Sequence, residues 1–257
     1  MGNKGQGAIY LMKLITLNIW GGQVYQPLLD FFKKYQDVDI FCLQEVYHRA
    51  PQRISKEERF LSLNIFDEIL DLLPKHQGFF RPTVKGVYGI GTLIKKNIDV
   101  LAEGEVLVHD NPDYDGTGPK HPRKLQWLEC RASQGSKVFS VLNIHGLWNG
   151  LGKTDTEERE AQSERVKTFI DRLNTPLILC GDFNLRPDTK SLKMISEGLR
   201  DLIQEHEIQS TRTSFYPKEE KYADYIFTSP DGIHIKKFEV LKDEVSDHAG
   251  LFLEFDA

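Results

Sequence analysis

The sequence predicts one α/β (α+β) domain, spanning residues 1–257, in which two mixed β-sheets pack face to face with helices on the outside. Short apolar, β-branched runs outnumber the amphipathic helical stretches, and several follow one another without an intervening helix. Such a pattern is typical of mixed sheets rather than regular βαβ winding. The chain is 40% hydrophobic and 28% charged, which is the composition of an ordinary globular domain. No repeat, low-complexity tract or linker divides it.

The first part of the chain predicts two strands and two helices. Residues 13–19 (KLITLNI) and 39–46 (DIFCLQEV) are apolar and rich in β-branched side chains, which predicts a strand in each, the second largely buried. Pro27 opens an amphipathic helix between them, because proline is favoured in the first helical turn. Helical periodicity over 61–73 predicts a second helix, which Pro74 ends.

The remainder of the chain is rich in predicted strands. The loop 110–122 (DNPDYDGTGPKHP) is dense in turn formers, and a loop of this length in a compact domain is often functional. A charged amphipathic helix is predicted over 157–173, ending before Pro176. The predicted strands are 78–81, 89–95, 100–109, 125–131, 137–144, 177–180, 225–228, 233–241 and 251–255.

Bulk properties argue against some functions. Lys and Arg total 33 against 38 Asp and Glu, a formal charge of -5, which argues against a large basic face for non-specific nucleic-acid binding. No apolar run approaches the ~18 residues of a membrane-spanning helix. Residues 1–11 are expected to form a flexible tail. Residues 1–8 lack the apolar core of a secretion signal, so the cytoplasm is the expected location. The cysteines are predicted to be buried, reduced thiols; they are Cys42, Cys130 and Cys180.

The informative feature is a polar residue at the end of one apolar strand after another. A rigid scaffold can bring such strand ends together into one site. Each motif taken alone has an ordinary alternative, which is a solvated strand end or a turn such as Gly-Asp-x-Asn. The strand-end residues are Asn18, Gln44, Glu45, His145, Asp182, Asn184, Asp224, Asp247 and His248.

The residue types fit metal-assisted hydrolysis. Mg²⁺ prefers a few carboxylates together with waters and substrate oxygens, and one or two strand-end acids such as Glu45 meet that demand. Asp182 and Asn184 are spaced i, i+2, so both point to one side of an extended segment. There, an acid can take a proton from water while an amide donates to a phosphate oxygen.

The pair Asp247 and His248 suggests a second element of the same chemistry. A histidine held by a carboxylate can stay protonated and stabilise charge on a phosphoryl group. Because neighbouring residues on a strand face opposite ways, the acid that orients His248 is expected to come from elsewhere in the chain. Asp224 is the candidate for that role.

Together and in this order, these segments resemble the endonuclease/exonuclease/phosphatase superfamily. The segments are TLNIW with Asn18, LQEV with Glu45, NIHGLW with His145, GDFN with Asp182 and Asn184, ADYIF with Asp224, and SDHAGLFLEF with Asp247 and His248. The resemblance spans residues 14–255. It implies a four-layer α/β sandwich with the active site at one edge of the paired sheets.

The resemblance also implies the metal and its ligands. Mg²⁺, with Mn²⁺ as a substitute, would be held by Glu45 with help from Asn18 and Asp247. Asn18 is in addition a candidate for contact with the substrate. Catalysis of this kind depends on positioning and electrostatics rather than on a covalent intermediate.

The remaining roles that the resemblance implies are catalytic. Asp182 would activate the attacking water, and Asn184 would orient water and phosphate. Asp224 would orient His248, which would stabilise the transition state. His145 stands where abasic-site endonucleases of the superfamily place a tyrosine, and a histidine there is more similar to the sphingomyelinase, deadenylase, inositol-phosphatase and tyrosyl-DNA phosphodiesterase branches. Such a histidine can be cationic near neutral pH, which suits an exposed phosphate group.

These observations predict a Mg²⁺-dependent hydrolase of a phosphodiester or phosphomonoester. Its substrate is expected to be a small molecule, a lipid head group or a single-stranded phosphoester, with duplex DNA less favoured. A DNA or RNA nuclease of the same superfamily is the alternative enzyme, and a degenerate binding module is the non-enzymatic alternative.

Further residues are candidates for substrate binding. Arg159 and Gln162 begin the helix after the NIHGLW segment and are predicted to reach a substrate phosphate. Arg123 and Lys120 lie in or beside the long loop and are candidates for the other end of the substrate. The tryptophans beside the motifs can stack on a base or sugar, although packing is their commoner role; they are Trp20 and Trp148.

Overall fold

Twelve strands and five α-helices make up the part of the chain that the computed structural model describes, which is residues 11–52, 62–116, 118–132 and 136–257. In chain order the strands are β1 (Met12–Asn18), β2 (Ile40–Tyr47), β3 (His76–Val84), β4 (Tyr88–Lys95), β5 (Asp99–His109), β6 (Arg123–Arg131), β7 (Val138–His145), β8 (Leu177–Asp182), β9 (Arg200–Asp201), β10 (Asp224–Thr228), β11 (His234–Val240) and β12 (Leu251–Asp256). The helices are α1 (Tyr25–Lys34), α2 (Ile65–Leu72), α3 (Glu157–Ile170), α4 (Lys190–Ser196) and α5 (Leu202–Glu205). The expected tail 1–11, apart from Leu11, and position 61 of the second predicted helix lie outside the described residues.

The strands form two six-stranded sheets. Sheet one has the order β11-β12-β1-β2-β4-β3, and sheet two has the order β5-β6-β7-β8-β10-β9. Each sheet has one parallel pair near its centre, β1 with β2 and β7 with β8, and the other described pairings are antiparallel. Because parallel strands end at the same edge of a sheet, each sheet presents two carboxyl-terminal strand ends side by side.

Side chains of the central strands alternate between two hydrophobic clusters, as the two-residue period of a strand requires. Leu14 and Cys42 belong to the cluster between the sheets, whereas Ile15 and Leu43 belong to the cluster beneath α1 and α2. Helix α3 packs on sheet two, for example through Val166. The predicted sandwich of two sheets with outer helices is therefore confirmed. All three cysteines are buried free thiols, as predicted.

Short elements account for most differences from the predicted pattern. The helix predicted from Pro27 begins two residues earlier, and no element was predicted for the segment that holds α4, β9 and α5. Thr189 Oγ1 accepts a hydrogen bond from the Leu192 N–H at 3.3 Å, and Asp201 Oδ1 accepts one from the Ile203 N–H at 2.9 Å. These caps stabilise helices too short to show a hydrophobic period. No described helix is long and apolar enough to cross a membrane.

A buried polar layer joins the two sheets next to the edge where the parallel strands end. The Gln44 amide nitrogen donates to Asn143 Oδ1 at 2.7 Å, and the Asn143 amide nitrogen donates to the Leu43 carbonyl at 3.2 Å. Thr92 Oγ1 donates to Gln126 Oε1 at 2.9 Å. A buried amide without a partner is unfavourable, so these bonds fix how one sheet lies on the other.

His76 is expected to make the stability of the fold depend on pH. Its buried Nε2 donates to the Val38 carbonyl at 2.8 Å, and Nδ1 has no partner among the described residues. Burial lowers the pKa of His76 below its usual value. The unfolded chain therefore binds a proton more tightly than the folded chain does, and stability falls as the pH drops through the unfolded value of ~6.5. We expect this residue to lower the free energy of unfolding by about 1 kcal/mol between about pH 7.5 and about pH 5.5.

Urea denaturation at both pH values checks this expectation. The variant His76→Gln is compared with His234→Gln, which changes an exposed histidine. Wild type and His234→Gln should lose the same stability on acidification, and His76→Gln should lose about 1 kcal/mol less. Equal losses in all three proteins would show that His76 is not the titrating group.

Candidate active site

The carboxyl ends of the two parallel pairs meet at one edge, where the Asn18 side chain joins them. Its amide nitrogen donates to Glu45 Oε1 at 2.9 Å and to Asp182 Oδ2 at 3.0 Å, so one residue of sheet one binds acids from both sheets. Asn18 Oδ1 accepts a hydrogen bond from the Trp20 backbone N–H at 2.9 Å. Because that bond occupies the amide oxygen, the nitrogen faces the carboxylates. The structure thus places Asn18 to orient the two acids.

Glu45 lies in a β-bulge near the end of β2. The pairing of β2 with β4 shifts between Leu43 and Val46, and Glu45 has a left-handed backbone with a φ of 57°. A bulge changes the direction of a side chain, and here it directs the carboxylate to the Asn18 edge. Burial, together with nearby negative charge, raises the pKa of Glu45 to about 7.

Asp182 ends β8 and is held by the turn that follows. The Gly181 backbone before it has a φ of 137°, and a Cβ there would lie 2.0 Å from the Ile144 carbonyl oxygen, so glycine is required. Asp182 Oδ1 accepts a hydrogen bond from the Asn184 N–H at 2.9 Å. Burial alone would raise the pKa of Asp182, but neighbouring basic side chains, above all His248, outweigh it and lower the pKa. Asp182 is therefore a carboxylate at neutral pH.

Asn184 lies in the turn and not on the strand. β8 ends at Asp182, and the Asn184 backbone is left-handed with a φ of 53°. The extended spacing inferred from the sequence is therefore wrong for this pair, although both side chains line the same cavity. The Asn184 amide nitrogen donates to the Gly146 carbonyl at 3.3 Å, which ties the turn to the segment after β7.

The structure brings Asp224 to His248. His248 Nδ1 lies 2.9 and 2.8 Å from the two Asp224 carboxylate oxygens, and Thr211 Oγ1 donates to Asp224 Oδ2 at 3.1 Å. Burial opposes protonation of His248, but the surrounding carboxylates, above all Asp224, outweigh it and raise the pKa. This favours the imidazolium form, whose Nε2 lies 3.7 Å from Asp182 Oδ2.

His145 ends β7 between the two acids. Its Nε2 lies 3.8 Å from Glu45 Oε1 and 3.7 Å from Asp182 Oδ2. Burial, reinforced by the Arg123 charge, lowers the pKa of His145 well below its usual value. The interpretation of His145 as a cation near neutral pH is therefore wrong. Its neutral imidazole is suited to accept a hydrogen bond or to bind a metal.

Two groups of side chains place potential metal-ligand atoms within 4.8 Å of one another. They are Glu45 with His145 and Asp182, and Asp182 with Asp224 and His248. The second group contains a histidine already hydrogen-bonded to a carboxylate and favoured as a cation, so the first group is the better divalent metal site. Among the described residues, Asp247 joins neither group, and its Oδ2 instead lies 3.4 Å from Arg212 Nη1.

A cavity of about 1080 Å³ opens over these side chains, and its wall includes two cations that sequence reasoning missed. Lys153 is 1% exposed and donates from Nζ to the Tyr222 carbonyl at 3.0 Å, and burial lowers its pKa to about 8. The Arg212 guanidinium lies 4.0 Å from the ring centre of Tyr216, and its Nε has no partner among the described residues. Both cations lie in loops and not at strand ends, so the strand-end pattern gave no signal for them.

Arg159 and Gln162 do not lie at the site. Arg159 is fully buried, and its guanidinium donates to the carbonyls of Leu147, Thr154 and Gly152 at 3.2, 2.6 and 2.6 Å. Gln162 Oε1 accepts a hydrogen bond from the Leu147 N–H at 2.9 Å. Because all these partners belong to the loop after β7, the two side chains brace that loop. Their prediction as substrate-binding residues is wrong.

The remaining candidates divide between the cavity and the surface. Trp20, Trp148 and Arg123 line the cavity, and Lys218 Nζ lies 5.2 Å from the Trp148 ring centre. Lys120 is exposed and lies 3.4 Å from a glutamate of α3, outside the cavity wall.

The α/β sandwich, with acids, amides and histidines at the shared edge of its two sheets, agrees with the match to one protein family. The chain belongs to the Endonuclease/Exonuclease/phosphatase family, whose model matches residues 15–248. Members of this family act on phosphoesters. The resemblance found in the sequence is therefore confirmed.

Known proteins are similar along most of the chain. The 3'-5'-exoribonuclease subunit Ccr4 of the CCR4-Not complex of Emericella nidulans is 23% identical in an alignment 311 residues long. The alignment covers 85% of this chain and 45% of that protein. The chain thus spans less than half the length of this curated relative. Among solved structures, a mannosyl-6-phosphatase of Bacteroides thetaiotaomicron matches with a TM-score of 0.72 at 22% identity, over 95% of this chain and 99% of that one. The human Nocturnin catalytic domain matches with a TM-score of 0.68 at 18% identity, over 96% and 94%.

Proposed function

We propose that the protein is a Mg²⁺-dependent phosphoester hydrolase, with Mn²⁺ as a substitute, in which Asp182 activates the attacking water. The observation that carries the proposal is the meeting of Glu45, His145 and Asp182 from two sheets, with His248 on the wall of the same cavity. This arrangement would offer a phosphoryl group one side that can hold a divalent cation and one side that is itself cationic.

Glu45 would hold the metal together with His145, and the Asp182 carboxylate, which keeps its role as the base, lies beside them. The donor set fits a divalent cation because two carboxylates and a neutral imidazole converge within 4.8 Å. The raised pKa of Glu45, about 7, reflects buried negative charge that a cation would relieve. When bound, the metal supplies polarisation of the phosphoryl oxygens and lowers the pKa of a bound water. Asn18 keeps both carboxylates in place through its amide nitrogen.

The other groups of the chain act on the water and the phosphate. Asp182 Oδ2 accepts the proton of the attacking water, and Asn184 orients water and phosphate from the adjacent turn. Asp224 holds Nδ1 of His248, which leaves Nε2 free to donate to a phosphoryl oxygen as negative charge develops. Lys153 and Arg212 add positive charge on the cavity wall. Phosphoryl transfer needs this kind of positioning and charge stabilisation.

The proposed substrate is a small-molecule, lipid-head-group or single-stranded phosphoester. The formal charge of -5 argues against the broad basic track that duplex DNA requires, and the mannosyl-6-phosphatase among the similar structures supports a small substrate. A DNA or RNA nuclease is the second candidate. It is favoured by the exoribonuclease relative and by Trp20 and Trp148 on the cavity wall, where bases can stack. The cytoplasm is the proposed location, in line with three unpaired cysteines.

A hydrolysis screen with and without Mg²⁺ tests the proposal. The panel contains aryl monoesters and diesters, sugar phosphates, nucleotides, lipid head groups, short single-stranded oligonucleotides and an abasic duplex. We expect a small or single-stranded phosphoester to be hydrolysed at least ~100-fold faster with Mg²⁺ than after exhaustive chelation. The melting temperature should change little on chelation, because a chain of this size folds without a metal.

Either of two results would count against this proposal. Full activity after chelation would remove the metal from the mechanism. A kcat/KM on the abasic duplex about tenfold or more above the best small substrate would favour the nuclease.

A further inference from the structure

Arg123 is a buried cation without an ion-pair partner among the described residues. It begins β6 and is 2% exposed. Its Nη2 donates to the Pro119 carbonyl at 3.0 Å, whereas Nε and Nη1 are buried and have no partner in the described part of the chain. A buried guanidinium with unused donors is unfavourable unless an anion meets it. The function proposed above does not use this group.

The strand order places Arg123 on the catalytic edge. β6 runs antiparallel to β7, and its first residue stands level with the residue after His145. Across sheet two, adjacent strand ends on β6, β7, β8 and β10 therefore carry Arg123, His145, Asp182 and Asp224. Neighbouring strands are about 4.8 Å apart, so the Arg123 backbone is roughly two strand spacings from that of Asp182. It lies on the side away from Asp224.

The charges around Arg123 leave room for an anion. Burial lowers the pKa of Arg123 to about 10, so it stays cationic at neutral pH, and Asp182 and Glu45 attract it across the cavity. No carboxylate of the described residues lies within ion-pair distance of it. His121 beside it is neutral, because burial and the Arg123 charge lower the pKa of that histidine. Arg123 and the two acids all line the same cavity.

We propose that Arg123 binds the third free oxygen of a terminal phosphate through Nε and Nη1, which makes the site selective for phosphomonoesters over phosphodiesters. The inference rests on the proposed function. The phosphate would be approached from three directions: by the cation held at Glu45, by His248 and by Arg123. A phosphomonoester has three non-bridging oxygens and can satisfy all three, whereas a diester has two. With a diester bound, the Arg123 donors stay unpaired.

Substitution of Arg123 tests this selectivity. The substrates are p-nitrophenyl phosphate and methyl p-nitrophenyl phosphate, which share a leaving group and differ in the third oxygen. We expect Arg123→Gln to lower kcat/KM at least ~30-fold on the monoester and less than ~3-fold on the diester, because a paired charge-assisted contact is lost only with the monoester. Arg123→Lys keeps the charge without the paired donors and should lose about tenfold on the monoester. The matched control is Arg165→Gln, which removes an exposed arginine that donates to the Val108 carbonyl and should behave as wild type.

Binding of inorganic phosphate, measured by calorimetry on metal-free protein, separates this inference from the proposed function. Wild type and Arg165→Gln should bind phosphate, and Arg123→Gln should bind it at least ~10-fold more weakly. If no phosphoester is hydrolysed, the proposed function fails while this titration still tests Arg123. Removing an unpaired buried charge should not lower the melting temperature; if Arg123→Gln nevertheless fails to fold, Arg123→Lys carries both measurements. Equal losses on the two esters, or phosphate affinity unchanged by either substitution, would overturn the proposal.

Discussion

Replacing Asp182 with asparagine is expected to lower kcat by at least ~100-fold while the fold stays intact. The carboxylate is buried, ionised and shared: Oδ2 accepts from Asn18 and faces His145 and His248, whereas Oδ1 accepts from the Asn184 N–H. Asparagine keeps the size of the side chain and one oxygen for the Asn184 N–H, so the turn survives. It removes the charge that receives the proton of water.

The control for this variant is Asp188→Asn, which changes an exposed acid paired with Arg186 at the surface. It should keep the wild-type kcat. Activity is measured on the best substrate of the screen over a range of Mg²⁺ concentrations, and melting temperatures report the fold. Recovery of Asp182→Asn at high Mg²⁺ would assign the residue to metal binding alone. A loss of tenfold or less in a folded variant would mean that another group activates water.

His248→Ala is expected to lose at least ~100-fold in kcat, and Asp224→Asn a smaller factor of about 10 to 100. Alanine removes the donor that faces the phosphoryl group. Asparagine can still accept the bond from His248 Nδ1, but it no longer supplies the negative charge that raises the pKa of the ring. Since the imidazolium is the active form, the alkaline limb of the pH–kcat profile should move to lower pH in Asp224→Asn.

The pH profile distinguishes a positioning residue from a merely structural one. Loss of stability in Asp224→Asn would lower activity at every pH without moving the limb. His234→Ala, which removes an exposed histidine at the start of β11, should leave both kcat and the profile unchanged. An unshifted limb in a folded Asp224→Asn protein would contradict the assignment of His248 as the cation.

The parts of the site that the sequence predicts are those held by regular strands. Asn18, His145 and Asp182 each end an apolar run, so periodicity locates them and the parallel pairing brings them to one edge. Lys153 and Arg212 lie in loops whose paths depend on tertiary contacts, such as the bond from Lys153 to a distant carbonyl. Local pattern carries no information about those paths, which is why the two cations were missed.

Other differences have electrostatic or topological causes. Arg159 begins a helix beside the site, and only the folded loop after β7 decides that its guanidinium turns to buried carbonyls. The protonation of His145 depends on burial and on Arg123, which follows the long loop of the middle region. The fold class could be predicted because several strands follow one another along the chain without a helix between them. The antiparallel pairing of the first strand with the last could not, because it joins opposite ends of the chain. No local signal specifies such a pairing.

The polar layer between the sheets has a consequence for hybrid proteins. Each sheet contributes its own parallel pair of strands to the site. A hybrid protein could therefore combine the first sheet of one family member with the second sheet of another. A hybrid whose second sheet lacks an amide at the position of Asn143 would lose the shortest hydrogen bond of the Gln44 amide and the bond from Asn143 to the Leu43 carbonyl, both in the interior. Such hybrids should fold only when the amides at positions 44 and 143 are transferred together. The Gln44–Asn143 pair therefore determines which first sheets and second sheets can be combined in a recombined enzyme.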